Sequence, residues 1–254
     1  MSMRWIGTIA LGAALCAGGA QASEPTQEVL SSWAGPYIGA HIGYGWGKNE
    51  WRDFIDPVNP PNVVPGPDAD FSLRGILGGG QIGYNWQFGS TVFGIEAAAS
   101  AANINGTGDN APNPTLYPGG CLQQNDCNTK IQAFGTLTAR IGTVVDRALV
   151  YAKGGAAWGV AKHSTGASDP DFPNDPYANY SASVDQTRWG WTIGAGIEYA
   201  LAPGWSAKLE YNYIDLGKDQ ATFRYQPDQS FAARADSELS LHTVTLGVNY
   251  RFGE

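Results

Sequence analysis

The chain has 254 residues with 15 basic and 23 acidic side chains, a net charge of −8 and only 15% of its residues charged, yet it holds 34 glycines, 9 tryptophans, 12 tyrosines and 9 phenylalanines. The acidic balance supplies no basic stripe for phosphate backbones, which excludes a nucleic-acid binder. Beyond the N-terminal segment no apolar run approaches the roughly 18 residues that cross a bilayer as a helix, which excludes a helical membrane protein.

Residues 1–22 open with Arg4, run apolar from Trp5 to Ala17 and close with Ala20-Gln21-Ala22, the small-x-small pattern of a cleaved secretory signal. Leu15 stands before Cys16, where lipoprotein processing prefers a small residue, so lipidation is not expected. Cleavage removes one Arg and one Cys, leaving 14 basic and 23 acidic residues, a net of 14 − 23 = −9. Residues 23–33 read as a polar leader, loose in the periplasm, and residues 34–254 as one folded domain.

That domain alternates with period two in stretches about long enough to cross a bilayer as tilted strands. The first, 35–47, sets Ile38, Ala40, Ile42, Tyr44 and Trp46 against Tyr37, Gly39, His41, Gly43 and Gly45. A loop from Asn49 to Ser72, holding Pro57, Pro60, Pro61, Pro65 and Pro67, cannot be strand throughout. The second strand, 73–88, aligns Ile76, Ile82, Tyr84, Trp86 and Phe88, and the Gly89-Ser90 turn joins it as a hairpin to the third, 91–104. The loop 105–129 contains Cys121 and Cys127, close in sequence and facing an oxidising compartment, so a local disulfide is expected.

The fourth strand, 130–144, points Ala133, Leu137, Ala139 and Ile141 outward and Thr136, Thr138 and Arg140 inward; a turn at 145–147 leads to the fifth, 148–162. The loop 163–186 carries Asp169, Asp171 and Asp175, read as solvated carboxylates rather than a convergent calcium site. The sixth strand, 187–200, sets Trp189, Trp191, Ile193, Ile197 and Tyr199 against Arg188, Thr192 and Glu198. After a turn at 201–204 the seventh, 205–218, sets Leu209 and Tyr211 against Lys208, Glu210 and Asn212. A last long loop, 219–236, precedes the eighth strand, 237–252, where His242, Val244, Leu246, Val248, Tyr250 and Phe252 share a face.

Long and short connections alternate strictly. This predicts an all-β fold, an eight-stranded antiparallel up-and-down transmembrane β-barrel with four long extracellular loops, three short periplasmic turns and periplasmic termini. A soluble lipocalin-like barrel would put grease inside and charge outside. Here Glu96, Arg140, Lys153, Glu198, Lys208 and Glu210 fall on faces rich in Gly, Thr and Asn, which assigns them to the lumen as a charge network. An eight-stranded lumen is just wide enough for side chains, so the network is either a structural plug or the lining of a narrow ion path. Trp46, Trp86, Phe88, Trp158, Trp189, Tyr199, Trp205, Tyr250 and Phe252 are expected at the membrane interfaces.

Two motifs are set aside. Gly78-Gly79-Gly80-Gln81-Ile82-Gly83 matches the dinucleotide fingerprint formally, but no helix follows. Ser240 and His242, with Glu238 in line, sit at spacings of two on one strand face and cannot fold back onto one another as a triad. No catalytic, metal or cofactor site is expected.

The segments W-A-G-P-Y-I-G-A-H-I-G-Y-G-W-G (33–47), G-G-Q-I-G-Y-N-W-Q (79–87), A-R-I-G (139–142), L-V-Y-A-K-G-G-A-A-W-G (149–159), W-G-W-T-I-G-A-G-I-E-Y (189–199), W-S-A-K-L-E-Y-N-Y-I-D-L-G (205–217) and the terminal L-G-V-N-Y-R-F resemble, in order, the small outer-membrane β-barrel family of alpha-proteobacteria. That group includes outer-membrane immunogenic proteins and hemin-binding surface proteins and is often labelled porin family. One departure is that Gly253 and Glu254 follow Phe252, where the family's assembly signal normally ends on an aromatic. Residues and resemblance together lead one to expect a surface barrel, a monomer being favoured, set in outer-membrane lipid and lipopolysaccharide, handled by the barrel-assembly machinery, with host or small-ligand contacts through its loops. A passive channel is the alternative, and no catalytic residues carry over. Heme enters only through the resemblance, and neither His41, facing the lumen, nor His163, starting a loop, is placed as its ligand.

Overall fold

In the computed structural model, which describes residues 32–55, 69–108, 127–168, 179–224 and 231–253, the alternating stretches become β1 (Gly35–Ile55), β2 (Ala69–Phe88), β3 (Thr91–Gly108), β4 (Cys127–Val145), β5 (Ala148–Ser168), β6 (Asn179–Ala202), β7 (Trp205–Arg224) and β8 (Phe231–Arg251). Each pairs antiparallel with its sequence neighbours and β8 closes on β1. The signal, residues 23–31 of the leader, Cys121 and the Asp169, Asp171 and Asp175 carboxylates lie outside the described residues, so the expected disulfide does too.

Three connections are two residues long: Gly89-Ser90, Asp146-Arg147 and Pro203-Gly204. Each contains one left-handed residue, Gly89 at φ 60°, Asp146 at φ 53° and Gly204 at φ 72°. Aspartate tolerates that region because its short polar side chain bonds locally. The other four connections, 56–68, 109–126, 169–178 and 225–230, join strand ends at the opposite end.

The strands run 18 to 24 residues, longer than the sequence reading allowed, and nearly all of the excess is at the long-connection end. Asn49 and Glu50, expected in a loop, continue the β1 ladder, as do Asn105, Thr129 and His163 on β3, β4 and β5. The lipid-type alternation stops there, but the hydrogen-bond ladder does not. Following one row of partners, Ile38, Ile82, Ala97, Leu137, Ala156, Trp191, Asp215 and Ser240, returns to β1 at Lys48, ten residues on from residue 38. With eight strands, a stagger of this kind tilts them by roughly 35–45°.

Outward faces carry large apolar side chains: Ile42 is 66% exposed, Ile76 64% and Leu137 62%. A contiguous apolar surface of this extent is a contact with lipid, not water. The inside is filled in three tiers. At the short-turn end Trp33, Val92, Val144, Leu149, Tyr151 and Ala200 pack together. Charged and amide side chains fill the middle. At the long-connection end Leu73, Ile104, Ile131, Leu239 and Leu241 are each fully buried.

Trp33 corrects the expectation of a leader loose through residue 33. It is wholly buried, its backbone N–H donates to Gln87 Oε1 at 2.6 Å, and its carbonyl accepts from Asn85 Nδ2 at 3.0 Å. The Arg251 guanidinium lies 4.3 Å from its ring centroid. The open short-turn end would otherwise admit water, and an indole is large enough to stop it.

Candidate functional site

The middle tier is where chemistry concentrates. Glu96 on β3, Arg140 on β4, Lys153 on β5, Glu198 on β6, and Lys208 and Glu210 on β7 all project inward and are almost completely buried. Alternation explains it: each occupies the phase opposite the apolar positions of its strand. Lys153 Nζ lies 2.9 Å from Glu96 Oε1 and 2.7 Å from Glu210 Oε1. Lys208 Nζ reaches the same two carboxylates at 3.3 and 3.5 Å. Arg140 Nη1 is 3.4 Å from Glu198 Oε2 and 4.0 Å from Glu96 Oε2.

Neutral donors fill the remaining lone pairs, as buried charge requires. Tyr37 donates to Glu96 at 2.9 Å and Tyr151 to Glu210 at 2.7 Å. Ser206 and Asn249 donate to Glu198, and Asn212 donates to Glu210 at 2.9 Å. The Arg140 guanidinium also lies over the Tyr37 ring at 4.6 Å and the Tyr151 ring at 5.2 Å. Three carboxylates against three cations leave the tier neutral. The two tyrosines, Asn249 and Ser206 belong to this cluster as closely as the charged six, yet the sequence reading did not single them out, because Tyr on an inward face reads as packing.

His41 faces the lumen as expected. Its Nδ1 lies 2.6 Å from Gln81 Oε1, an acceptor, and its Nε2 lies 2.8 Å from Ser100 Oγ, which fixes the Nδ1-protonated tautomer if Ser100 donates. Gln81 in turn donates to Asn249, and Asn249 to Glu198, so a hydrogen-bonded chain leads from His41 into the charge cluster. A cavity of about 30 Å³ beside His41, Lys208 and Thr245 has room for one or two waters. His163 lies within β5 rather than starting a loop, opposite Thr129 and Val184.

On the outer wall, the expected interface aromatics Trp46, Trp86, Phe88, Trp189, Tyr199, Trp205, Tyr250 and Phe252 all point outward and are exposed. Trp158 also points outward, its indole lying over Gly135, and it pairs in register with Trp189. His242 is held among them: its ring stacks on Trp46 at 5.7 Å and its Nδ1 lies 2.7 Å from the Tyr211 hydroxyl. Glu238 is bound instead to Lys218 at 3.1 Å. The Ser240, His242 and Glu238 set is therefore not assembled as a triad. Gly78, Gly79 and Gly80 are ordinary ladder positions of β2, with no helix after them.

The family model of the outer membrane protein beta-barrel domain matches residues 8–252. The chain belongs to that family. Over 234 residues this outer-membrane barrel is 35% identical to the 31 kDa outer-membrane immunogenic protein of Brucella melitensis, covering 91% of this chain and 89% of that one. It is 27% identical over 234 residues to the 22 kDa outer membrane protein of Rhizobium leguminosarum, covering 91% and 83%. Among solved structures, outer membrane protein OprG from Pseudomonas aeruginosa matches with a TM-score of 0.56 at 14% identity, over 87% of this chain and 97% of that one, a likeness of fold. The barrel resides in the outer membrane, with its apolar wall in lipid.

Proposed function

We propose that this barrel is a structural surface protein: a closed wall that carries the four long connections at the cell face, supports the envelope and offers those connections to molecules outside. The filled lumen carries this reading. Apolar tiers at both ends flank a neutral, mutually bonded charge cluster, and the cavity of about 30 Å³ has room for waters but not for a solute. A passive channel needs a continuous wet path, which this packing opposes. The immunogenic outer-membrane relatives support a surface role, and the aromatic cage around His242 supports anchoring over catalysis. Lipid, lipopolysaccharide and the assembly machinery are its expected partners, with host or small ligands at the connections.

The test is to replace 56–68, 109–126, 169–178 and 225–230 by two-residue turns. The trimmed barrel is expected to insert in the outer membrane and keep its heat-shifted gel mobility, while losing whole-cell labelling by an impermeant reagent. Discrete conductance steps from the full chain in planar bilayers would overturn the reading in favour of a channel.

A further inference from the structure

The rim just outside the aromatic belt is divided by charge. On the outward face Lys48 of β1 sits two residues beyond Trp46, and Arg74 of β2 is the register partner of Trp46. The same row continues through Asn105 on β3 to Lys130 on β4 and Lys162 on β5. Across β6 to β8 the rim instead carries Asp185, Asp215 and the Lys218–Glu238 pair.

Lys130 and Lys162 are directly opposed across the β4–β5 ladder. Like charges in that position repel, and sheets normally avoid them. In the lumenal cluster Arg140, Lys153 and Lys208 each have a carboxylate within 4.0 Å. By contrast, among the described residues Lys48, Arg74, Lys130 and Lys162 make no ion pair, with Asp185 beside Lys162 and Glu50 beyond Lys48 as the flanking carboxylates. Directly below them the wall is apolar: Trp46, Ile76 and Trp158 face lipid.

We propose that this basic arc binds the phosphate groups of a phosphorylated glycolipid of the outer leaflet, whose acyl chains lie on the apolar wall beneath. The proposal rests on the outer-membrane placement of the barrel and assigns a site on the wall to the lipid partner that the surface-protein reading expects. Charge complementarity selects the occupant. Because the strands tilt, the row climbs about 3 Å per strand from Arg74 to Lys162, which spreads the cations through the depth of a headgroup layer. Lys48 and Arg74 form a lower pair of cations and Lys130 and Lys162 an upper one, an arrangement suited to two phosphates on one headgroup. Long lysine stems let the ammonium groups reach that layer while their methylenes stay on the wall.

The test compares wild type with the K130Q/K162Q/R74Q variant in detergent, titrated with fluorescent bisphosphorylated lipid A and with lipid A stripped of phosphate. Wild type is expected to bind the phosphorylated form at least tenfold more tightly, and the variant to bind both forms at the level of the stripped lipid, with unchanged heat-shifted gel mobility. Wild-type binding should also weaken as salt rises. If the variant does not fold, the salt titration of wild type decides alone. Equal binding of both lipids by wild type, no salt dependence, or undiminished binding by a folded variant would each overturn it. None of these readouts involves the long connections, so loss of the surface-protein reading and loss of the lipid site are separate results.

Discussion

The two halves of the barrel are built with opposite polarity. Around Glu96, Arg140 and Lys153 the wall is apolar outside and charged inside. Around Ile104, Leu239 and Leu241 the inside is mainly apolar, with Asn49 bonded to Thr129 among the leucines, and the outward positions on the same stretches are Asn105, Glu238 and Ser240. One continuous ladder serves both. The strand fixes only that successive side chains take opposite faces; the medium outside the wall decides which face takes the apolar set. In lipid, polar side chains must turn inward and satisfy one another. Where the barrel rises into water, the ordinary soluble arrangement returns.

The sharpest way to break the lower half is to remove one shared carboxylate. Glu96 faces Lys153, Lys208 and Arg140 and accepts from Tyr37, so Glu96→Ala leaves buried cations uncompensated and is expected to cost about 3–5 kcal/mol. Urea unfolding in vesicles, followed by tryptophan fluorescence, measures it. The upper half responds to volume instead. Ile104 fills the space over Gly45, where an added Cβ would lie 2.5 Å from its Cδ1, and Ile104→Ala is expected to cost about 2–5 kcal/mol through the cavity it leaves. An Ile104→Ala loss under 1 kcal/mol in the same assay would show that the upper tier is not a packed core.

The same reversal explains what could be read from the sequence. Strand number, order, the three tight turns and the inward phase of all six charged residues follow from alternation alone, because in lipid the pattern is enforced on both faces. The strand ends did not follow. Asn49, Asn105, Thr129 and His163 lie beyond the last lipid-facing apolar positions of their strands and read as loop, although the ladder runs on through them. Trp33 was missed for another reason: a polar leader gives no signal that its last aromatic folds back as a stopper. Within the charge cluster, the partners Tyr37, Tyr151 and Asn249 come from strands far apart in sequence, and only closure of the barrel brings them together.

A charge on the outer wall costs most where the wall is deepest in lipid. Leu137 is 62% exposed on the lipid face, and Leu137→Arg is expected to cost about 2–4 kcal/mol if it lies near the bilayer midplane. Ser240→Arg, outward on β8 beyond the belt, is expected to cost about 0–1 kcal/mol. Equal penalties in the vesicle unfolding assay would mean that lipid covers the upper wall as well.

The smallest effect expected is at the rim pair. Lys218 and Glu238 lie 3.1 Å apart on adjacent strands, with side chains 73% and 41% exposed. Water screens that attraction and ordering two long side chains opposes it, so Lys218→Gln should change stability by no more than a few tenths of a kcal/mol. The lumenal pairs are of similar length but almost completely buried, so losing one partner there leaves a charge uncompensated. A Lys218→Gln penalty comparable to that of Glu96→Ala would mean the rim is as dry as the lumen, and the boundary between the two halves would have to move outward along β7 and β8.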